Sequence, residues 1–460
     1  MIWFASVFSA TAFAGALAYP GNKLAFLAFS LVFIVIALIS IRRRNVSYAH
    51  FFLGLMLVVG IWLKLTYMFL SGVPVREPIG NFTASPDSFD HILLVACIGG
   101  CGYLLGRLAT SPLEANVSPA LAPGSYPRWR TIAWGVAILF AIGITVANLV
   151  FGLHVRGRVP TIQLRWPFGG LFAFGIDYGV ALVFAILLGW DREKNFGVLR
   201  GFAALCIQGT SASIVTASRA LYIFHTLPVL ITEGRSLFMR QRKRASLILC
   251  IWVCGAVAIP LFTTFDRYFG AARVAHTPTE LNARSRGETL SEAKVSTALL
   301  RSSANATLID LAIYRWPGLE GLMATSSYEG KSLELLKYAA LQRRGYGDVD
   351  LYTKTISGSG FTDEQARVTH YSTQAGPIAF LYFSGSLWIV FFGMAVLALG
   401  ISLIERVWRD LVRDPAPLAI AGWYLAFVVV QLSGGLQQAA AGIVAVSFLF
   451  LATFAVTRLT

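Results

Sequence analysis

The sequence predicts an all-α, polytopic helical membrane protein with about 12 transmembrane helices and one large helical loop outside the membrane. Of its 460 residues, 56% are hydrophobic and 13% are charged. A soluble chain carries roughly 25% charged residues, so about half the expected charge is missing. The apolar residues fall in runs of about 18 to 22, the length that crosses a bilayer as a helix. Hydrocarbon offers no hydrogen-bond partners, so each run must satisfy its own backbone and is predicted to be helical.

The candidate spans divide the chain into three parts. Residues 1–263 hold the first nine spans, residues 264–376 contain no membrane-spanning run, and residues 377–460 hold the last three. The first span lacks a basic region before it and leads directly into the second, so we expect a helix rather than a cleaved signal peptide. The predicted spans are residues 2–19, 23–41, 49–71, 91–109, 131–152, 169–190, 197–215, 219–233, 246–264, 378–403, 416–434 and 437–457.

Basic residues in the short connectors predict the orientation. The net charge is +15, and much of it lies in connectors such as residues 42–44 and 240–244. Lys and Arg mark cytoplasmic connectors, so this charge indicates membrane topology rather than binding of nucleic acid. About 12 spans place both termini in the cytoplasm and residues 264–376 on the opposite face. The connectors assigned to the cytoplasm are residues 42–45, 111–130, 191–195, 233–244 and 405–414.

The long segment at residues 264–376 has a helical pattern of its own. Apolar residues recur at mostly helical spacing in residues 288–314 and again in residues 329–343, which is typical of amphipathic helices. Gly- and Ser-rich stretches at 345–348 and 357–360 indicate turns. We therefore expect a helical lid that covers the external end of the membrane domain.

Arginines on the external face suggest a phosphate-binding site. The predicted external loop at residues 153–168 contains Arg156, Arg158 and Arg165, and Arg219 stands where one predicted span turns into the next. Charge at such depths is costly unless it is paired or faces a polar cavity. Arginine donates bidentate hydrogen bonds to phosphate oxygens, so the pattern favours a lipid-linked phosphate or pyrophosphate as ligand.

Three short motifs resemble a known family. Arg158 is followed after ten residues by Gly169, a Ser-Arg-Ala-Leu run occupies 218–221, and a His-Tyr-Ser-Thr run at 370–373 precedes Gly-Pro at 376–377. This layout is similar to that of the bacterial O-antigen polymerases (Wzy type) and the related O-antigen ligases, which have about a dozen helices and one large periplasmic loop late in the chain. The resemblance implies a bacterial inner-membrane protein with a periplasmic active face.

The resemblance also implies a reaction. The chain would join undecaprenyl-pyrophosphate-linked oligosaccharide repeat units into a surface polysaccharide, either O-antigen or exopolysaccharide, without a metal or other cofactor. Arginines aimed at the pyrophosphate would stabilise the negative charge that the leaving group gains. Arg219 and Arg158 are the first candidates for this role, and Arg165, Arg284 and Arg286 are the further candidates.

A histidine is the expected proton acceptor in this reaction. The attacking hydroxyl must lose its proton, and imidazole suits that step near neutral pH. The resemblance favours His370, and His276 is its competitor in the same segment. Besides the lipid-linked oligosaccharide and membrane lipids, the implied partners are a chain-length regulator and a flippase.

Other functions stay open from the residues alone. An O-antigen ligase would use the same motifs. A different polyprenyl-dependent glycosyltransferase would place acidic residues in its first external loop to hold a metal, and Asp87 and Asp90 fit that reading or an N-cap at Asp90. A lipid-linked oligosaccharide flippase would work by alternating access of two related halves, which the loop pattern does not show.

Three remaining polar positions favour structural roles. Asp177 lies inside a predicted span, where we expect it to pair with an arginine or cap a helix. His225, in an apolar run, is expected to pack or hydrogen-bond between helices. His50 stands at a span end, where we expect it at the membrane interface.

Overall fold

The computed structural model describes residues 2–42, 47–75, 77–110, 122–157, 159–165, 167–240, 242–274, 316–343, 348–359 and 373–459. Within these residues the protein is all-helical, with 78% helix and no strand. Seven of the described helices are long and apolar enough to cross a membrane, and four shorter apolar helices accompany them. The prediction of a helical membrane protein is confirmed at this level. The figure of about 12 spans stays a prediction.

Most of the helices follow the predicted apolar runs. Two short π-helical turns interrupt predicted spans, and a third lies in the long segment. In chain order the helices are α1 (Ile2–Ala18), α2 (Lys23–Arg42), α3 (Tyr48–Leu57), α4 (Lys64–Ser71), α5 (Pro86–Ala109), α6 (Tyr126–Phe151), α7 (Phe168–Phe174), α8 (Val180–Glu193), α9 (Leu199–Val215), α10 (Leu221–Arg240), α11 (Arg242–Val274), α12 (Leu319–Ser327), α13 (Leu333–Leu341), α14 (Pro377–Tyr382), α15 (Leu387–Val412), α16 (Pro415–Val430) and α17 (Leu436–Leu459). The π-helical turns are π1 (Val58–Leu63), π2 (Gly175–Gly179) and π3 (Tyr352–Ile356).

Helices α10 and α11 are longer than the spans predicted at residues 219–233 and 246–264, ending at Arg240 and Val274. Two further boundaries differ from the prediction because serine caps set them. Ser85 accepts a hydrogen bond from the Ser88 amide, so α5 begins at Pro86 and Asp90 lies within the helix. The N-cap proposed at Asp90 is therefore wrong. The predicted span at 378–403 is broken, because Gly385 has a φ of +72° and Ser386 caps a new helix at Leu387.

Close backbone contacts at glycines hold the bundle together. Gly102 and Gly106 lie one helical turn apart on α5, where a Cβ would come within 2.1 Å of the Phe391 carbonyl oxygen and 2.3 Å of that of Ala395. This small-residue spacing lets two helices approach closely in a membrane. The buried helix α16 packs against α3, α8 and α10 at the centre.

The connectors predicted to share the cytoplasmic side meet at one end of the bundle. The Ser47 hydroxyl donates to the Glu405 carboxylate, which joins the start of α3 to the end of α15. Arg192, at the end of α8, contacts Glu233 of α10 and donates to Asp414 before α16 at 2.9 Å. The ion pairs of Arg192 thus bring together connectors from three regions of the chain, and the Ser47–Glu405 hydrogen bond joins a fourth to α15.

The long segment does not only cover the external end of the membrane domain, as the predicted lid would. One of its described helices, α12, is buried among the helices of the bundle. Helix α12 lies against π1, α5 and α14, with Leu319, Leu322 and Met323 each 1% exposed. Helix α13 lies within residues 329–343, where a helix was expected, and begins after a Ser332 cap. Three residues of the predicted apolar face are exposed: Leu333, Tyr338 and Leu341. The second amphipathic helix, expected at residues 288–314, lies outside the described residues.

Candidate functional site

The loop at residues 153–168, called the arginine loop below, is joined by hydrogen bonds to the Ser-Arg-Ala turn at residues 218–220. The Arg156 amide donates to the Thr216 carbonyl at 2.8 Å. Asn148, in the last turn of α6, donates through its amide nitrogen to the carbonyls of His154 at 2.9 Å and Val215 at 3.0 Å. Its side-chain oxygen accepts from the His154 amide at 2.7 Å. One buried asparagine therefore fixes both backbone segments at the same place.

The turn between α9 and α10 holds Arg219 in a constrained position. Ala217 has a φ of +51°, which costs a non-glycine residue roughly 1 to 2 kcal/mol. The Ser218 amide donates to the Ser213 carbonyl at 2.8 Å and closes the turn. Arg219 is partly buried and stands two residues before the first residue of α10. The positive end of a helix dipole and an arginine side chain both favour an anion there.

Asp177 connects the arginine loop to the membrane core. It lies in π2 and is 8% exposed. Its Oδ2 atom accepts from Arg156 Nη2 at 2.8 Å and lies 3.2 Å from His154 Nε2. His225, fully buried in α10, donates through Nε2 to the Asp177 carbonyl at 2.6 Å. The expectations that Asp177 pairs with an arginine and that His225 bonds between helices are confirmed.

Arg156 is held as a cation at the edge of this cluster. Burial works against its charge, but the carboxylate of Asp177 outweighs that effect and raises the pKa of the Arg156 guanidinium. Its side chain is 26% exposed. Arg156 thus neutralises a carboxylate that is otherwise buried at a helix interruption.

The structure describes two of the six residues predicted for the site. Arg165 is exposed on the loop, and Arg219 lies in the turn to which that loop is bonded. Both elements lie at the opposite end of the bundle from the Arg192 cluster, which consists of Arg192, Glu233 and Asp414. The remaining predicted residues lie outside the described part of the chain: Arg158, Arg284, Arg286 and His370.

His154 and Lys64 are polar residues that the sequence analysis passed over. His154 stands two residues before Arg156, and this position in the same loop is the sequence signal that could have indicated a role for it. Lys64 interrupts an apolar run, a position where charge usually signals function or pairing. It is buried and donates to both carboxylate oxygens of Glu320, at 2.8 and 2.9 Å.

Asp90, one of the two acidic residues noted in the first external loop, has a structural role. Asp90 accepts hydrogen bonds from the Tyr19 hydroxyl at 2.8 Å and from the Asn22 amide at 3.0 Å. It thereby ties the turn between α1 and α2 to α5. The described residues contain no group of three or more side chains that could hold a metal ion.

His50, for which the sequence predicted a place at the membrane interface, is buried between helices in the first turn of α3. It is 1% exposed, with Nδ1 3.0 Å from the Tyr103 hydroxyl and Nε2 2.8 Å from the Ser402 hydroxyl. Its depth relative to a membrane stays a prediction. His50 joins three helices.

Comparison with protein-family models, curated proteins and solved structures gave no match. The functional interpretation therefore depends on the site's geometry and on the resemblance carried by the short motifs.

Proposed function

We propose that this chain is a glycosyltransferase that polymerises undecaprenyl-pyrophosphate-linked oligosaccharide repeat units on the periplasmic side of the bacterial inner membrane. The observation that supports the proposal is the hydrogen bond from the Arg156 amide to the Thr216 carbonyl. It brings the loop that carries Arg165 against the turn that carries Arg219. Two arginine-bearing elements, distant in sequence, thus share one end of the bundle.

The chemistry of the donor suits such a site. When the anomeric bond breaks, the pyrophosphate leaving group takes the bonding electrons and gains negative charge. Arg219, beside the N-terminus of α10, would stabilise that charge together with Arg165. Arg158, Arg284 and Arg286 are proposed for the same role. His370 stays the candidate that the resemblance favours for removing the proton from the acceptor hydroxyl.

The apolar surface next to the loop suits the lipid part of the donor. Leu149 and Val150, in the last turn of α6, are 70% and 65% exposed, and Phe168 at the start of α7 is 66% exposed. These side chains flank the arginine loop on both sides in sequence. A polyprenyl chain in the bilayer could lie against them while its pyrophosphate reaches the arginines.

The topology that accompanies this proposal has about 12 spans and both termini in the cytoplasm. It places the Arg192 cluster on the cytoplasmic side and the long segment in the periplasm, in line with the basic connectors. A flippase that supplies the repeat units and a chain-length regulator are the proposed partners, beside membrane lipids.

Surface polysaccharide from a deletion strain tests the function. Complementation with the wild-type gene should restore a ladder of long chains, and Arg219→Ala should leave mainly one repeat unit on the lipid core. Removing one group that stabilises developing charge lowers a rate by about 10² to 10³. Arg128→Ala is a matched control, because Arg128 is an exposed arginine at the opposite end of α6.

The same gel separates the alternative enzyme from the polymerase. Loss of a polymerase leaves a single repeat unit attached to the core, whereas loss of an O-antigen ligase leaves none. A deletion strain with no unit at all would assign the ligase reaction to this chain. Inhibition of the activity by a chelator would favour the metal-dependent glycosyltransferase instead.

A further inference from the structure

His154 and Asp177 form a histidine–carboxylate pair beside the Ser-Arg-Ala turn. We propose that His154, oriented by Asp177, accepts the proton of the attacking hydroxyl, a role that rests on the proposed transferase function. In this assignment His154 takes the place that the sequence analysis gave to His370. The contacts on both its backbone and its ring support the assignment.

The backbone of His154 is fixed on both sides of its peptide unit. Its amide donates to the Asn148 side-chain oxygen at 2.7 Å, and its carbonyl accepts from the Asn148 side-chain nitrogen at 2.9 Å. Two residues further on, the Arg156 amide is bonded to Thr216. The imidazole therefore projects from a segment with little freedom, six residues along the chain from Asn148, whose side chain also donates to the Val215 carbonyl.

The ring is oriented by a buried carboxylate. His154 Nε2 lies 3.2 Å from Asp177 Oδ2, and the side chains are 18% and 12% exposed. When Nε2 carries the hydrogen and donates it to the carboxylate, Nδ1 is the basic nitrogen of the ring. A carboxylate that fixes the tautomer and stabilises the imidazolium also serves the Ser-His-Asp triad, although there the carboxylate bonds Nδ1 and Nε2 is the base.

Arg156 completes the balance of charge around the pair. It donates to the same Asp177 oxygen at 2.8 Å, so the carboxylate has a cationic partner besides its contact with His154. Among the described residues, the other titratable groups against the cluster are Tyr178 in π2, His225 in α10 and Tyr424 in α16. Asp177 Oδ2 therefore has Arg156 as its charge partner and His154 as a further hydrogen-bond partner.

The backbone around the pair is irregular at two points. Asp177 lies in a π-helical turn, a feature that occurs frequently at functional sites. Ala217, in the turn bonded to Arg156, has a left-handed φ, and strained residues of this kind also cluster at such sites.

The proposed step balances in atoms and electrons. The acceptor hydroxyl oxygen forms a bond to the anomeric carbon of the donor, and its proton passes to His154 Nδ1. The bond between that carbon and the pyrophosphate oxygen breaks, and its electron pair leaves with undecaprenyl pyrophosphate. The proton on His154 is then lost to water before the next cycle.

The test uses the purified full chain in liposomes with an undecaprenyl-pyrophosphate-linked oligosaccharide as both donor and acceptor. Release of undecaprenyl pyrophosphate is measured over a range of pH. His154→Gln keeps an N–H donor toward Asp177 but has no basic nitrogen. We expect its kcat to fall at least about 100-fold, the usual contribution of a general base, with KM little changed and the decline of the rate at low pH abolished.

Two further variants make the result decisive. Added imidazole should restore part of the activity of His154→Ala, which a structural role would not allow. His91→Gln is the matched control, because His91 is an exposed histidine bonded to the Tyr382 hydroxyl at 2.9 Å. It should retain the wild-type rate.

Specific results would overturn the assignment. A His154→Gln protein within about twofold of the wild-type rate would exclude His154 as the base, and so would loss of activity in His154→Gln that leaves the pH dependence unchanged. If the wild-type chain itself releases no undecaprenyl pyrophosphate, the proposed function fails and the role of His154 fails with it.

Discussion

The buried ion pair between Lys64 and Glu320 predicts a large loss of stability when its charge balance is broken. Glu320→Gln removes the negative charge and leaves the size of the side chain unchanged. The two side chains are 1% and 2% exposed, and Lys64 Nζ lies 2.8 Å from Glu320 Oε2. This contact joins the long segment to the helices of the first part of the chain.

The geometry sets the size of the effect. Two unit charges at 2.8 Å attract by about 6 kcal/mol at an effective dielectric constant of roughly 20. Desolvation offsets most of that attraction, but an ammonium left buried without its counter-charge costs about 3 to 5 kcal/mol. Lys64 also donates to the Trp316 carbonyl, which would partly solvate it, so we expect about 3 kcal/mol. For a chain of this size that is a fall in Tm on the order of 3 °C.

Thermal unfolding of the purified protein in detergent, followed by near-ultraviolet circular dichroism, measures the effect. The double variant Lys64→Met with Glu320→Met should recover most of the lost stability, because an apolar pair leaves no uncompensated charge. Glu334→Gln is the matched control. Its carboxylate pairs with Lys337 on α13, and both side chains are more than half exposed, so its Tm should change by about 1 °C or less.

Two results would refute the reasoning. If Glu320→Gln melts within about 1 °C of the wild-type protein, the pair is not a buried electrostatic contact. If the double variant is no more stable than Glu320→Gln, the loss does not come from an uncompensated Lys64 charge.

Three further predictions follow from other contacts. Gly321→Ala should lower Tm by several degrees in the same melting assay, because its Cβ would stand 1.8 Å from the Ala375 carbonyl oxygen. The control Gly143→Ala should be neutral or slightly stabilising, because a Cβ at Gly143 meets nothing within 4 Å. Burial, with a smaller contribution from Glu233, raises the pKa of Asp414 to about 7 against the opposing effect of Arg192. The folded state therefore binds a proton that the unfolded chain has lost, and the Tm of the wild-type protein relative to Asp414→Asn should decrease as pH rises from about 5 to 7 and then level off; a flat difference would contradict this. Asn148→Ala should reduce undecaprenyl pyrophosphate release in the liposome assay, because it frees both the loop and the turn, while a full rate would show that the two need no common anchor.

The helices could be predicted from the sequence because apolar run length reports directly on membrane-spanning helices. The N-cap predicted at Asp90 is wrong because Ser85 caps the helix five residues earlier. The Asp90 carboxylate instead accepts hydrogen bonds from the Tyr19 hydroxyl and the Asn22 amide. The break at Gly385 was missed because apolar runs stand on both sides of the short Ser-Gly-Ser stretch at residues 384–386. A hydropathy pattern does not respond to a single left-handed residue and a serine cap.

Partners distant in sequence limited the prediction of the long segment and of the site. Lys64 pairs with a residue 256 positions away, and no local pattern indicates that choice. The apolar residues of α12 are too few for a membrane span, so the sequence did not reveal that this helix is buried. The arginines of the loop and the turn were visible as motifs, but the Asn148 side chain that joins them was not.

The most direct measurement of the central claim is the product formed by the purified full chain in liposomes that contain an undecaprenyl-pyrophosphate-linked repeat unit. The proposed function predicts glycan chains of several repeat units and one undecaprenyl pyrophosphate released for each new linkage. Arg219→Ala should lower both by about 100-fold, and Arg128→Ala should lower neither. Repeat units that stay single with the wild-type chain, or equal polymerisation by Arg219→Ala, would contradict it.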